Sequence, residues 1–162
     1  PIYADILNYV SLGVLLNIPD NNFRQLIDYV KQMDKQAKPS GWTPDLLLWF
    51  MLNSRMKEQE KQKYAETLAY PRLYNGLYKV IQAPNAAAAK DALSKYLDRW
   101  YNLNSNAPWY NSHLKDNSYR GYWAWEVAAV AKIMHIDDSD LRDNPYYPYD
   151  MVHWKDAGVT IE

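Results

Sequence analysis

The chain has 162 residues and a mass of 19.0 kDa, the size of one ordinary domain. Its 48% apolar content excludes general disorder, and its lack of Cys excludes a disulfide scaffold, a Cys-ligated zinc site and a Cys nucleophile. The net charge is only −1, but residues 31–101 carry +5 and residues 116–162 carry −5, so the molecule is dipolar in a way that bears on its partners and not on its fold.

Residues 3–16 are apolar nearly all round, which predicts a helix packed on two sides. Asn17-Ile18-Pro19 ends it. Asp20 or Asn22 is the expected cap of a second helix with Phe23, Leu26, Ile27 and Val30 as its stripe. Residues 38–41 read as a loop. Thr43 before Pro44 reads as an N-cap with Pro at the first helical position, opening a helix over 45–52. The charged run 56–63 is a solvated helix face or a link between helices.

Pro71 opens a short helix with Leu73, Leu77, Val80 and Ile81 on its apolar side. Asn85 caps a helix over 86–101 that buries Leu93, Leu97 and Trp100. Residues 103–118 read as loop with a weak turn of helix. The strongest helical signal spans 122–134, where Trp123, Val127, Val130, Ala131 and Met134 share one face and Trp125, Ala128, Ala129 and Ile133 another. Its small residues predict a central helix in close contact with its neighbours. The tail 137–162 is turn-rich, with Pro145, Pro148 and Gly158. With Gly at only 5, and 33 Leu and Ala against 19 Val, Ile and Thr, the fold class is all-α: a compact bundle of about six to eight helices.

No stretch reaches the roughly 20 apolar residues of a membrane span, and no secretory signal is present. No membrane partner is expected. Catalytic signatures are missing as well: there is no phosphate-binding Gly loop, no His-Glu-x-x-His and no Gly-x-Ser-x-Gly. None of the three histidines, His113, His135 and His153, has a second ligand at a spacing that would put both on one helix face, so neither a metal nor another cofactor is expected. Glu126 is the odd charge, set in an apolar helix. Desolvation would raise its pKa, which fits either a general acid–base or a buried structural network with Tyr, Trp or His donors.

The aromatic balance is lopsided: 15 Tyr and 7 Trp against 2 Phe. Side chains that join a large apolar body to a hydrogen-bonding tip suit protein interfaces, and equally a hydrogen-bonded shell around a core. Direct nucleic-acid binding is not expected, given a pI near 6.4 and no aromatic-interleaved basic run.

Residues 121–131 read Gly-Tyr-Trp-Ala-Trp-Glu-Val-Ala-Ala-Val-Ala, and residues 136–150 read Ile-Asp-Asp-Ser-Asp-Leu-Arg-Asp-Asn-Pro-Tyr-Tyr-Pro-Tyr-Asp. With Trp109 and His113 shortly before them, these stretches resemble the C-terminal domain of PoNi-type immunity proteins. The resemblance implies a non-enzymatic bacterial inhibitor acting in the cytoplasm. Its partner would be a cognate polymorphic toxin, a DNase delivered by a type VI or related contact-dependent route. It also implies a single helical domain over 1–162, without the separate N-terminal domain that family members usually carry.

An inhibitor of a nuclease gains encounter rate and complementarity from an acidic, aromatic face. The candidates for partner contact are Asp137, Asp138, Asp140 and Asp143, with Tyr146 and Tyr149 beside them. The competing assignment for the Asp residues is capping of a short turn. Glu126, His113 and Tyr147 are assigned to a structural polar network. A helical adaptor or scaffold with a non-toxin partner is the alternative reading of the same surface.

Overall fold

The computed structural model describes residues 2–114 and 121–154. Residues 115–118 of the weak-turn region lie outside the described residues, as do the tail beyond 154 with Gly158, and Asp116, Asp156 and Glu162 of the acidic third. The described residues form seven α-helices and three short 3-10 turns, with no strand among them. The protein is all-α. No helix among the described residues is long and apolar enough to cross a membrane.

Helix α1 (Ile2–Leu15) is buried on most sides, as its all-round apolar sequence predicts. Its Ser11 is buried because the hydroxyl donates back to the Leu7 carbonyl at 2.7 Å. The helix ends in a Schellman turn. Asn17 takes the left-handed conformation (φ 48°), its amide donates to the Val14 carbonyl, and the Ile18 amide reaches the Gly13 carbonyl. Gly13 admits the next helix closely, since a Cβ there would stand 3.2–3.3 Å from Ile18 and Phe23.

Helix α2 (Asp20–Gln36) starts directly after Pro19, and no side chain caps it; neither Asp20 nor Asn22 takes that place. Arg55 serves the junction instead, donating to the Ile18 carbonyl at 2.7 Å and to Asp20 at 2.6 Å while its guanidinium lies over the Phe23 ring. A second Schellman turn closes α2, with Ala37 at φ 49°. Helix α3 (Leu46–Asn53) begins one residue later than the Thr43-Pro44 pattern predicts. Its N-cap is Asp45, whose carboxylate takes the Leu48 amide, because Asp45 has the extended backbone a cap needs.

The charged run forms no regular helix. It holds a 3-10 turn at Glu58–Glu60 within an extended link that leads to α4 (Pro71–Ile81), where Pro71 stands in the first turn. Helix α5 (Ala86–Leu103) is capped by the Asn85 side chain on the Ala88 amide. The Tyr96 hydroxyl crosses from α5 to the Leu73 carbonyl of α4.

Helix α6 (Trp125–Ile133) starts later than its sequence signal: Trp123 lies outside it and is exposed. From Val127 to Ala131 every residue is essentially inaccessible. The small side chains let α1 lie along α6, and α4 pairs with α5 beside them. Lys132 of α6 closes the end of α1 by donating to the Leu15 carbonyl at 2.7 Å, a cation placed on a helix C-terminus. His135 (φ 53°) makes the third Schellman turn, and α7 (Tyr149–Val152) follows a 3-10 turn at Ser139–Leu141.

Candidate partner-binding surface

The surplus of Tyr and Trp first serves the interior. Four carboxylates held by the fold are gripped by aromatic donors, and Asp34, Asp45 and Glu126 each join segments 26 or more positions apart. Asp34 of α2 accepts from Trp42 Nε1 at 2.7 Å, Trp49 Nε1 at 2.8 Å and the Tyr64 hydroxyl at 2.6 Å. Asp45 accepts from the Tyr3 hydroxyl and from the Leu48 and Ala69 amides, all at 2.8 Å. Burial still raises its pKa against the pull of those donors. Glu126 accepts from Trp100 Nε1 at 2.5 Å, and its carboxyl is likewise raised by burial. Asp138 accepts from the Tyr147 hydroxyl at 2.7 Å and engages His153 Nε2 at 2.9 Å.

The residues assigned to a polar network are thus buried or paired in three different places. Glu126 meets Trp100, Tyr147 meets Asp138, and His113 Nδ1 lies 2.6 Å from the Tyr122 hydroxyl, in the stretch between α5 and α6. Sequence reasoning missed Asp34 and Asp45. Asp45 carried a readable signal, an acidic residue directly before the apolar run Leu46–Leu48. Asp34 carried none.

A layer of rings extends outward from Trp100. Trp109 stacks on it at 5.3 Å, Tyr146 leans on it at 5.4 Å, and Tyr101 stacks on Tyr146 with the planes only 3° apart. The Tyr146 carbonyl takes the Ala124 amide at 2.8 Å, which pins this loop to the start of α6. Tyr146 and Tyr149 are both half-buried, so each keeps part of its surface outside.

The acidic candidates separate by environment. Asp138 is buried, and its carboxylate faces inward. Asp137 forms an Asx turn on Ser139 and pairs with Lys90 of α5 at 2.9 Å; these donors hold its carboxyl well below the usual carboxylate range. Asp140 shares Lys90 at 3.2 Å. Asp143 is exposed, as is Asp150, and Arg142, which feels the charge of both, lies over the Tyr149 ring. Tyr149 in turn stacks on His153 at 4.3 Å. The outward-facing remainder is a ridge of Asp140, Asp143, Asp150, Tyr146 and Tyr149. Lys90 and Arg142, which sequence reasoning did not single out, are its only cations among the residues just named.

Among the described residues no group of three His, Asp or Glu side chains stands close enough to hold a metal ion. No curated protein and no solved structure matches the chain. A family model does match, over residues 43–151: PoNe immunity proteins (PoNi), C-terminal. The chain belongs to the PoNi family. In this PoNi domain the matched stretch runs from the residues just before Asp45 into α7, and it contains the whole ridge and three of the four gripped carboxylates, Asp45, Glu126 and Asp138. Helices α1 and α2 precede it.

Proposed function

We propose that this immunity-family protein neutralises a cognate toxin by binding it, with the acidic, Tyr-bearing ridge over residues 137–150 as its contact surface. The observation that carries the reading is the division of the acidic cluster. The carboxylates of Asp143 and Asp150 stand exposed beside two half-buried tyrosines, whereas that of Asp138 is built into the fold. An acidic rim with aromatic anchors suits a basic partner such as the phosphate-binding cleft of a nuclease. A DNase toxin delivered by a type VI or related contact-dependent system is the partner of that kind. Inhibition is then by occupancy, and the inhibitor itself needs no reactive centre.

The test mixes the purified protein with the toxin encoded next to it. A stable complex that stops DNA cleavage is the expected result. The double variant Asp143→Lys, Asp150→Lys should weaken that complex while leaving the helical circular-dichroism signal intact. Failure to form any complex overturns the toxin-binding reading. Full-strength binding by the charge-reversed variant overturns the ridge.

A further inference from the structure

One cavity of the molecule is not accounted for by toxin binding. It is a partly open pocket of about 400 Å³ between the start of α1, α5 and the chain leading into α6. Its walls include Trp100, Trp109, Tyr122, Trp123 and Trp125, and Glu126 lies among them. That volume falls in the range of small-molecule sites and far exceeds the ~30 Å³ share of a single water.

The chemistry of the lining is specific. Aromatic faces present the negative part of their quadrupoles, which attracts cations and does nothing for anions. The acid in the wall is a buried carboxyl with an indole N–H on one of its oxygens. An indole is a neutral donor, so the pair carries no compensating positive charge. The phenols that feel this carboxyl, Tyr3 of α1, Tyr74 of α4 and Tyr96 of α5, are neutral as well and are themselves pushed upward, by burial first and by the Glu126 charge among the further causes. Among the described residues Glu126 therefore meets only neutral donors and no counter-ion, a costly state for a buried carboxylate. A cavity walled by rings is where such an ion fits.

We infer that this cavity binds a small organic cation, an alkylammonium or guanidinium head, with Glu126 as its counter-charge and the surrounding Trp and Tyr rings as its cage. The cation can be a free amine or the tip of a basic side chain, since both offer the same head to the site. Recognition is by charge and ring faces. A neutral molecule of the same shape gains only the apolar part.

The cavity wall contains its own reporters. Titration of the protein with n-butylammonium and with methylguanidinium, followed by Trp fluorescence and by the indole N–H resonances in ¹H–¹⁵N spectra, should give a saturable change centred on the Trp100 indole. Neutral n-butanol should bind at least about tenfold more weakly. Glu126→Gln keeps an acceptor for the Trp100 indole but removes the charge, and it should lower cation affinity by about tenfold or more. Trp109→Leu opens the cage without touching Glu126 and should weaken both cations. Equal binding of butanol and butylammonium overturns the inference, as does unchanged affinity in Glu126→Gln or a titration without saturation. The wild-type comparison of charged and neutral probes decides the matter even if a variant does not fold. Addition of the toxin separates the two sources: a basic side chain of the toxin in the cavity would displace butylammonium, whereas a free-amine site would keep it. None of these titrations of the isolated protein depends on the toxin-binding reading, so either proposal can fail alone.

Discussion

Asp45 offers the most demanding test of how this fold is held. Its two oxygens take three donors from three segments: the Tyr3 hydroxyl in α1, the Leu48 amide in α3 and the Ala69 amide before α4. Asp45→Ala removes all three acceptor contacts at once. Loss of the N-cap costs about 1 kcal/mol. The Tyr3 hydroxyl, buried at 6% exposure, is orphaned at about 1–3 kcal/mol, and the half-buried Ala69 amide adds about 1 kcal/mol. Relief of a carboxylate already disfavoured by burial offsets part of this, which leaves a net loss of about 3 kcal/mol. In a chain of this size that corresponds to a fall in Tm of about 6–12 °C. Asp45→Asn should fall between the two. Its carbonyl can keep Tyr3 and Leu48, but its NH2 group then faces the Ala69 N–H, donor against donor. Urea unfolding followed by circular dichroism and by Trp fluorescence measures the series, with coincident transitions as the check on two-state behaviour. Tyr3→Phe closes a double-mutant cycle, and its coupling to Asp45→Ala should be positive. A loss below about 1 kcal/mol in Asp45→Ala refutes the reasoning, because it would mean that water replaces the carboxylate at no cost.

Other positions give simpler expectations. Burial raises the Glu126 carboxyl, so the folded state prefers its protonated form. Its contribution is fullest below about pH 4 and declines as pH climbs through the raised folded value. Glu126→Gln does not titrate, so the stability difference should move in its favour as pH rises above about 4.5; a flat difference in paired thermal melts contradicts this. Ala37 adopts the left-handed conformation at the end of α2, so Ala37→Gly should stabilise by roughly 1 kcal/mol, and a lower melting temperature counts against it. At Gly76 a Cβ would stand 2.8 Å from the Tyr96 ring, which is fully buried and tethered by its hydroxyl to Leu73. Gly76→Ala should therefore destabilise by about 1–2 kcal/mol despite its better helix propensity, and urea midpoints decide the sign. If the ridge meets a basic toxin, the association rate should fall as salt shortens the screening length to about 10 Å at 0.1 M, and a rate indifferent to salt measured by stopped flow speaks for apolar anchoring instead.

Much of the fold is local and therefore legible. Pro71 at a helix start, Asn85 as a cap and Asn17 at a helix exit act within four residues of themselves, and the structure uses each where the sequence places it. Errors arose where two local signals competed. Thr43-Pro44 mimics a helix start, but Asp45, one step further on, has both the acceptor and the extended backbone. At α2 both candidate caps were passed over, since Arg55 reaches the junction from 35 residues away. The same limit hid the carboxylate grips. Tyr3 and Asp45 are separated by 42 positions and Trp100 and Glu126 by 26, and no periodicity in a single chain encodes such pairs. Composition did record their sum, as an excess of Tyr and Trp over Phe, without saying which rings turn inward. For the candidate surface the sequence located the acidic cluster, but not what divides it: Tyr147 and His153 take Asp138 inward, and Lys90, reaching across from α5, pairs with Asp137 and Asp140.

The stretch that carries the family signature begins at residue 43, yet α6, the most deeply enclosed helix within it, lies along α1, which ends at Leu15. Lys132 and Asp45 both reach out of the signature to grasp that outside helix. What a lineage shares and what a polypeptide needs in order to hold its shape are thus different lengths of chain. A fragment trimmed to the signature would keep every emblem of its kinship and lose the rod around which they are mounted.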